Sequence, residues 1–269
     1  MSAIASREPV RTGSPAAQGF RESAYRVGAL VRHNLLIRRR DPGQFISYLV
    51  MPMILMLVLK PIYVRVVDRG EAQVVTGLLV MFSVFAVAIA GNSILSERQW
   101  KTWDRLRVTR ASTTELLLGK TIPVYLLMVV QQVFLLVYGC AVIGLGFPPA
   151  PGLLLLAVLL WAFTLLALGT ALATVARSLG ELGVISDVSA LVVSSLGGAL
   201  VPIAIMPGWA QAAAHASPGY WALEMLQSAL AGEAGGMLWP AVILLALGAV
   251  AAVFAVRRLA RGWGRTHLL

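Results

Sequence analysis

The chain reads as an all-α, polytopic membrane protein, and three observations carry that reading. Of its 269 residues, 58% are hydrophobic and only 13% are charged, against roughly a quarter charged in an ordinary soluble domain. Six stretches of mostly apolar residues approach the roughly 20 residues that cross a ~30 Å hydrocarbon layer. The basic residues gather at the ends of those stretches. The net charge of +10 is therefore a topology signal and not a nucleic-acid footprint. A mean hydropathy of +0.81 agrees. The single cysteine, Cys140, excludes a disulfide framework and a Cys-based zinc site.

The six expected spans are 45–64, 74–95, 119–144, 153–176, 182–203 and 237–256. The first is interrupted by Lys60-Pro61. Breakers stand at their borders: Asp41-Pro42 before the first, Phe147-Pro148-Pro149 after the third, Gly235-Gly236 before the last. Residues 1–19 are rich in Ala, Ser, Pro and Arg without the apolar run of a secretory signal, and read as a disordered cytoplasmic tail. A single transmembrane domain then covers 20–261, and 262–269 read as a second cytoplasmic tail.

Orientation follows the Lys/Arg bias. With both termini cytoplasmic, the segment before span one holds Arg7, Arg11, Arg21, Arg26, Arg32, Arg38, Arg39 and Arg40. The loop between spans two and three holds Arg98, Lys101, Arg105, Arg107, Arg110 and Lys120. Arg177, Arg257, Arg258, Arg261 and Arg265 complete that side, so nineteen of the 22 basic residues lie inside. Only Lys60, Arg65 and Arg69 lie outside.

Three segments fall outside simple spans. Over 20–40, helical periodicity gathers Phe20, Ala24, Val27, Leu30, Val31 and Leu35 on one face. Arg21, Arg26, Arg32, His33 and Arg39 lie on or beside the other, with Arg38 alongside. Such a helix lies in the membrane interface with its arginines toward anionic head groups; a plain charged tail ahead of a span is the alternative. Asp41 would cap the next helix, with Pro42 at its first position. The inner loop 96–118 contains Glu97, Arg98, Trp100, Lys101, Trp103, Asp104, Arg105 and Arg107. It predicts a short helix parallel to the membrane, with Arg98, Lys101 and Arg105 on one side and Trp100 and Trp103 on the other. Thr109 and Ser112 to Thr114 are cap candidates for a restart, with re-entry at Leu116. Trp and Arg dominate binding hot spots, but they also populate the membrane surface, so docking and plain interfacial readings stand side by side. The outer stretch 204–236 carries Met206, Pro207, Trp209, Tyr220, Trp221 and Glu224. Two short helices, 209–216 and 220–231, fit it, dipping into the outer leaflet as a re-entrant hairpin.

Chemistry is sparse. Gly119-Lys120-Thr121 ends like a phosphate-binding loop, but Thr114 stands where that motif needs glycine. No nucleotide-binding or hydrolase motif is present, and His33, His215 and His267 are scattered. The mid-span polar residues Asn92, Gln131, Gln132, Thr164, Thr170, Ser194 and Ser195 read chiefly as helix–helix glue, with a pathway role for Asn92, Gln131, Gln132, Ser194 and Ser195 as the other option. A chain without an energy source of its own points to a partner that has one.

The loop from Glu97-Arg98 through Asp104-Arg105-Leu106-Arg107 and Thr109 to the Leu-rich run ending in Gly119-Lys120 resembles the inner loop of type 2 ABC (ATP-binding-cassette) exporter permeases. The late outer segment, with Pro202, Met206-Pro207-Gly208-Trp209, Pro218, Tyr220-Trp221 and Glu224, is similar to that family too, as is the interfacial amino-terminal helix. The resemblance spans about 20–261 and is nearest to daunorubicin-resistance-type permeases. It implies that 97–107 is a coupling helix docking on a separate cytoplasmic ATP-binding subunit, with 20–40 as a connecting helix. It also implies two permease copies, a substrate path between them, and an outer hairpin that narrows the exit. ATP and Mg would belong to the partner, so this chain would carry no cofactor and no catalytic residue. The expected cargo is a hydrophobic or amphipathic drug, antibiotic or lipid-like molecule. Trp103 and Arg110 depart from the pattern, which favours a small or aliphatic residue and a proline there. A non-transporting membrane scaffold and a membrane-integral lipid-modifying enzyme are the rival readings.

Overall fold

The computed structural model describes residues 15–40, 43–100 and 112–260. Lys101, Trp103, Asp104, Arg105 and Arg107 lie outside the described residues, as do Asp41, Pro42, 1–14 and 261–269; so do the side chains of Arg38, Arg39 and Arg98. Among the described residues there is helix and no strand. Six helical segments are long and apolar enough to cross a membrane: Phe45–Val66, Gly70–Glu97, Thr114–Ile143, Pro151–Val175, Leu179–Leu196 and Ala234–Leu259. The protein is thus an all-helical, multi-pass membrane protein of six spans.

In chain order, helix α1 (Pro15–Arg40) precedes span one, α2 (Gly43–Val66). It begins five residues before the apolar periodicity does, because Pro15 suits a first helical position and Ala16, Ala17 and Gln18 are strong helix formers. Span one runs unbroken through Pro52 and Pro61, so the Lys60-Pro61 pair that interrupts the apolar run does not interrupt the helix. Span two comprises α3 (Gly70–Phe85) and α4 (Val87–Gln99), separated by Ala86 alone. Span three, α5 (Thr113–Tyr138), ends in a π-helical turn, Gly139–Ile143. Gly144, at φ 86, stops it. Span four is α6 (Pro151–Val175), span five α7 (Leu179–Leu196) and span six α10 (Ala234–Ala260).

Span five ends at Leu196, seven residues before the end its hydropathy suggests. Gly198 adopts φ 82, and the amide of Ala199 returns to the Ser194 carbonyl at 3.0 Å. This is the bond of a glycine-terminated helix. The chain then passes Pro202 and a 3-10 turn, Ile203–Ile205, into two short helices, α8 (Gly208–Ala214) and α9 (Pro218–Ala231). Both lie within two residues of the expected pair. Helix α9 packs against spans two, four, five and six and buries Gly219, Ala222, Leu223, Met225, Leu226 and Ala229.

Span two is the axis of the bundle: 89% of its apolar window is buried, against 11% for span one and 22% for span five. Close approach to it requires small residues. A Cβ on Gly77 would stand 2.1 Å from the Ala199 carbonyl oxygen; one on Gly169 would stand 2.7 Å from that of Val87. Polar side chains add cross-links. The fully buried Trp161 of span four donates its indole N–H to Ser83 Oγ at 2.7 Å. Thr164 Oγ donates to the Leu244 carbonyl of span six at 3.1 Å.

Gly77→Val pushes two branched carbons into the Ala199 carbonyl and is expected to destabilise the protein by about 1–3 kcal/mol or more, the range for overpacked cores. Gly28→Ala, where no atom lies within 4 Å, is expected to cost nothing and to stabilise α1 by up to about 1 kcal/mol, the difference in helix propensity. Thermal unfolding in detergent followed by size-exclusion chromatography distinguishes the two.

Candidate functional site

The loop that carries the sequence motif is held at both ends. At its entry, span two runs on to Gln99, so Glu97 stands in the last turn of a spanning helix and not in a separate surface helix. Its carboxylate accepts from Lys120 Nζ of span three at 2.6 Å, with both side chains mostly buried. Trp100 follows, exposed, its amide bonded to the Ser96 carbonyl at 2.9 Å. At the exit, Ser112 caps span three. Its Oγ accepts the Glu115 amide at 3.2 Å, and Glu115 Oε2 accepts the Ser112 amide at 2.8 Å. This reciprocal pair satisfies two N–H groups that a helix start otherwise leaves open.

Glu115 does more than cap. The Arg26 guanidinium of α1 grips it with two bonds, Nη2 to Oε1 at 2.9 Å and Nε to Oε2 at 3.3 Å. Fork-on-carboxylate pairing of this kind adds orientation to charge. The hydrogen bonds from Arg26 to Glu115 raise the guanidinium further above its ordinary pKa. One turn along, Leu30 fills the space left by Gly119, where a Cβ would sit 2.6 Å from Leu30 Cβ. One turn further, Asn34 Nδ2 donates to the Gly119 carbonyl at 3.2 Å. The face that α1 turns to span three is therefore Arg26, Leu30 and Asn34. Sequence periodicity had put Arg26 with the head-group face; Arg32 and His33 do lie exposed.

Each residue of the Glu-Leu-Leu-Leu-Gly-Lys run thereby has a distinct part. Glu115 caps the helix and receives α1, Leu116 and Leu117 are buried, and Leu118 is exposed. Gly119 admits Leu30, and Lys120 fastens Glu97. Asn34 and Ser112 complete the site. Of these parts only the Ser112–Glu115 box had a local signal, its serine three residues ahead of a glutamate.

At the opposite end of the bundle, the hairpin residues form a second cluster. Met206 and Pro207 lead into α8, and the Met206 carbonyl accepts from Gln211 at 2.9 Å. Trp209 is exposed. His215, Tyr220 and Trp221 pack ring to ring at 4.6–6.2 Å, and the Trp221 indole donates to the His215 carbonyl at 2.9 Å. Glu224 keeps its Oε2 buried without a hydrogen-bond partner. Gln227 donates to Gln73 Oε1 at 2.8 Å and Gln73 to the Gly198 carbonyl at 2.8 Å, tying the hairpin to span two.

The mid-span polar residues do not converge. Gln131 reaches the Tyr48 carbonyl of span one at 3.2 Å. The Gln132 side-chain amide, the Ser194 hydroxyl and Asn92 Oδ1 are buried without hydrogen-bond partners, and Ser195 is half-buried.

The Arg26–Glu115 contact is expected to register in a double-mutant cycle. Arg26→Ala and Glu115→Ala should each lower thermal stability, and the double variant should lose less than the sum of the two. Arg26→Lys is expected not to restore the contact, since an ammonium cannot make the paired bonds.

Comparison with known proteins adds the remaining observation. The family model described as "ABC-2 type transporter" matches residues 25–231. The match runs from Tyr25 in α1, one residue before Arg26, to the last residue of α9. No curated protein matches the chain. With that match over most of its length, and six spans in the structure, the chain belongs to the ABC-2 type transporter family as the membrane-spanning permease component of such a transporter.

Proposed function

We propose that this chain is the permease of an exporter of hydrophobic or amphipathic molecules, of the daunorubicin-resistance type. A separate cytoplasmic ATP-binding subunit, with its own ATP and Mg, docks on the loop between spans two and three. The observation that carries the proposal is the double anchorage of that loop, at Glu97–Lys120 on one side and Ser112–Glu115–Arg26 on the other. A loop fastened this way passes displacement to spans two and three and to α1 together. Arg98, Trp100, Lys101, Trp103, Asp104, Arg105 and Arg107 form the docking surface, while Glu97 serves as its anchor. Arg32, Arg38 and Arg39 lie toward anionic head groups. ATP drives the cycle only by favouring one arrangement of the complex over the other.

The basic end of the bundle is the cytoplasmic one, by the Lys/Arg distribution. Spans one and five, the least buried of the six, face a second copy, with the substrate path between the copies. The hairpin α8–α9 is re-entrant from the outside and narrows the exit through Met206, Pro207, Trp209, Tyr220, Trp221 and Glu224. Helix α9 packs against four spans, and backbone at membrane depth is tolerated where protein covers it in this way.

Affinity purification of the tagged chain from its native membrane is expected to recover a stoichiometric ATP-binding subunit. Trp100→Ala combined with Trp103→Ala is expected to abolish that recovery while leaving membrane insertion intact. Reproducible absence of the subunit in gentle detergent would instead favour a scaffold or a membrane-integral enzyme. Orientation is checked in a Cys140→Ser background. Gly208→Cys should react with a membrane-impermeant maleimide in intact cells, and Thr102→Cys only after the cells are opened.

A further inference from the structure

Away from the coupling loop, two cavities at the hairpin end of the bundle share a wall. One, about 470 Å³, is lined by Asp68 and Arg69 from the turn between spans one and two, by Gln73, and by Gln227 of α9. The other, about 540 Å³, is an apolar groove between spans three and four, running from Val133 to Ala141 on one side and from Pro151 to Val158 on the other. Leu145 and Phe147 line both. They belong to the non-helical segment after Gly144, so polar pocket and apolar groove adjoin as one trough.

We propose that this trough binds one phospholipid, a zwitterionic one with a primary ammonium, its head group in the pocket and an acyl chain in the groove. Three features commit it to that occupant. The charges complement: Arg69 meets the phosphate and Asp68 the ammonium, and among the described residues neither has an ion-pair partner. Lys60 of span one brings a second cation alongside, its Nζ 3.6 Å from where a Cβ would sit on Gly144. The depth also fits. From Val133 to Ile143 span three rises about 15 Å, roughly half of a ~30 Å hydrocarbon core, which is the reach of one leaflet's chain. Groove and pocket are open to lipid from the side, since Val133, Val137, Leu155 and Phe147 are exposed. The leaflet is the outer one under the orientation proposed above; the trough itself does not depend on that proposal or on the ATP-binding partner.

The test uses the full chain purified in detergent and a phosphatidylethanolamine with a photoreactive diazirine in its acyl chain. Crosslinks mapped by mass spectrometry are expected to concentrate on 133–141 and 151–158. Arg69→Gly removes the guanidinium while suiting the left-handed backbone at this position, φ 112, so the fold is preserved. It is expected to lower that labelling roughly fivefold, the effect of one cation at a membrane surface, and Arg69→Lys to retain it. Asp68→Asn should lower labelling by phosphatidylethanolamine but not by phosphatidylglycerol. Val137→Trp, filling the groove, should abolish both. Labelling spread evenly over spans one and six, equal groove labelling by a photoreactive diacylglycerol without phosphate, or an Arg69→Gly chain labelled like the parent would overturn the proposal.

Discussion

Hydrocarbon offers no hydrogen bonds, so wherever this chain leaves regular helix within the bundle another part of the protein has to supply the partners. That constraint accounts for most of the polar contacts. After span five the carbonyls of Gly198 and Leu200, which no helix pairs, are taken by the Gln73 amide and the Tyr63 hydroxyl. The Val193 carbonyl is taken by Ser217 at 3.0 Å. At the end of span three the Leu145 amide returns to the Gly139 carbonyl at 3.0 Å. The glycines on span two follow from the same need: donors and acceptors meet only if backbones approach closely, and Gly77 lets the turn after span five come within reach.

At the basic end the same requirement is met with charge. Glu115 closes its own helix and binds Arg26, so the start of span three and helix α1 share one carboxylate. Glu97 and Lys120, both largely withdrawn from solvent, depend on each other in a stronger sense. A buried charge that loses its partner is costly, whereas the intact pair is close to neutral overall. Such pairs fix geometry more than they add stability. Two such pairs and the Ser112 cap around one loop define where the loop begins and ends.

Much of the architecture was legible in the residues. Six apolar runs gave six spans, and the Pro and Trp residues of 204–236 marked two short helices to within two residues of those found. The Ser112–Glu115 box was readable because its partners lie three residues apart. What hydropathy missed was the end of span five, since Ala199 and Val201 keep the run apolar while Gly197 and Gly198 end the helix. A helical wheel likewise sorted α1 into apolar and basic faces but could not know that another helix start, bearing Glu115, lies against Arg26. The parts played by Asn34, Gly119, Gln73 and Gln227 depend on neighbours 85 to 154 positions away. No local pattern records such distances.

Span two is a rod of 28 residues, about 42 Å long, with Glu97 near one tip and Gln73 near the other. Its single irregularity is Ala86, whose amide still reaches the Phe82 carbonyl at 3.3 Å while Ile89 makes the tighter return to Ala86 itself at 3.0 Å. Three residues away, Ser83 is pinned to span four through Trp161. Force entering at the Glu97 tip along the rod can arrive at the hairpin only through that joint. Under the docking proposed above, the stiffness of one alanine in the middle of the bundle would set how much of a stroke at one face of the membrane is transmitted along this rod to the other.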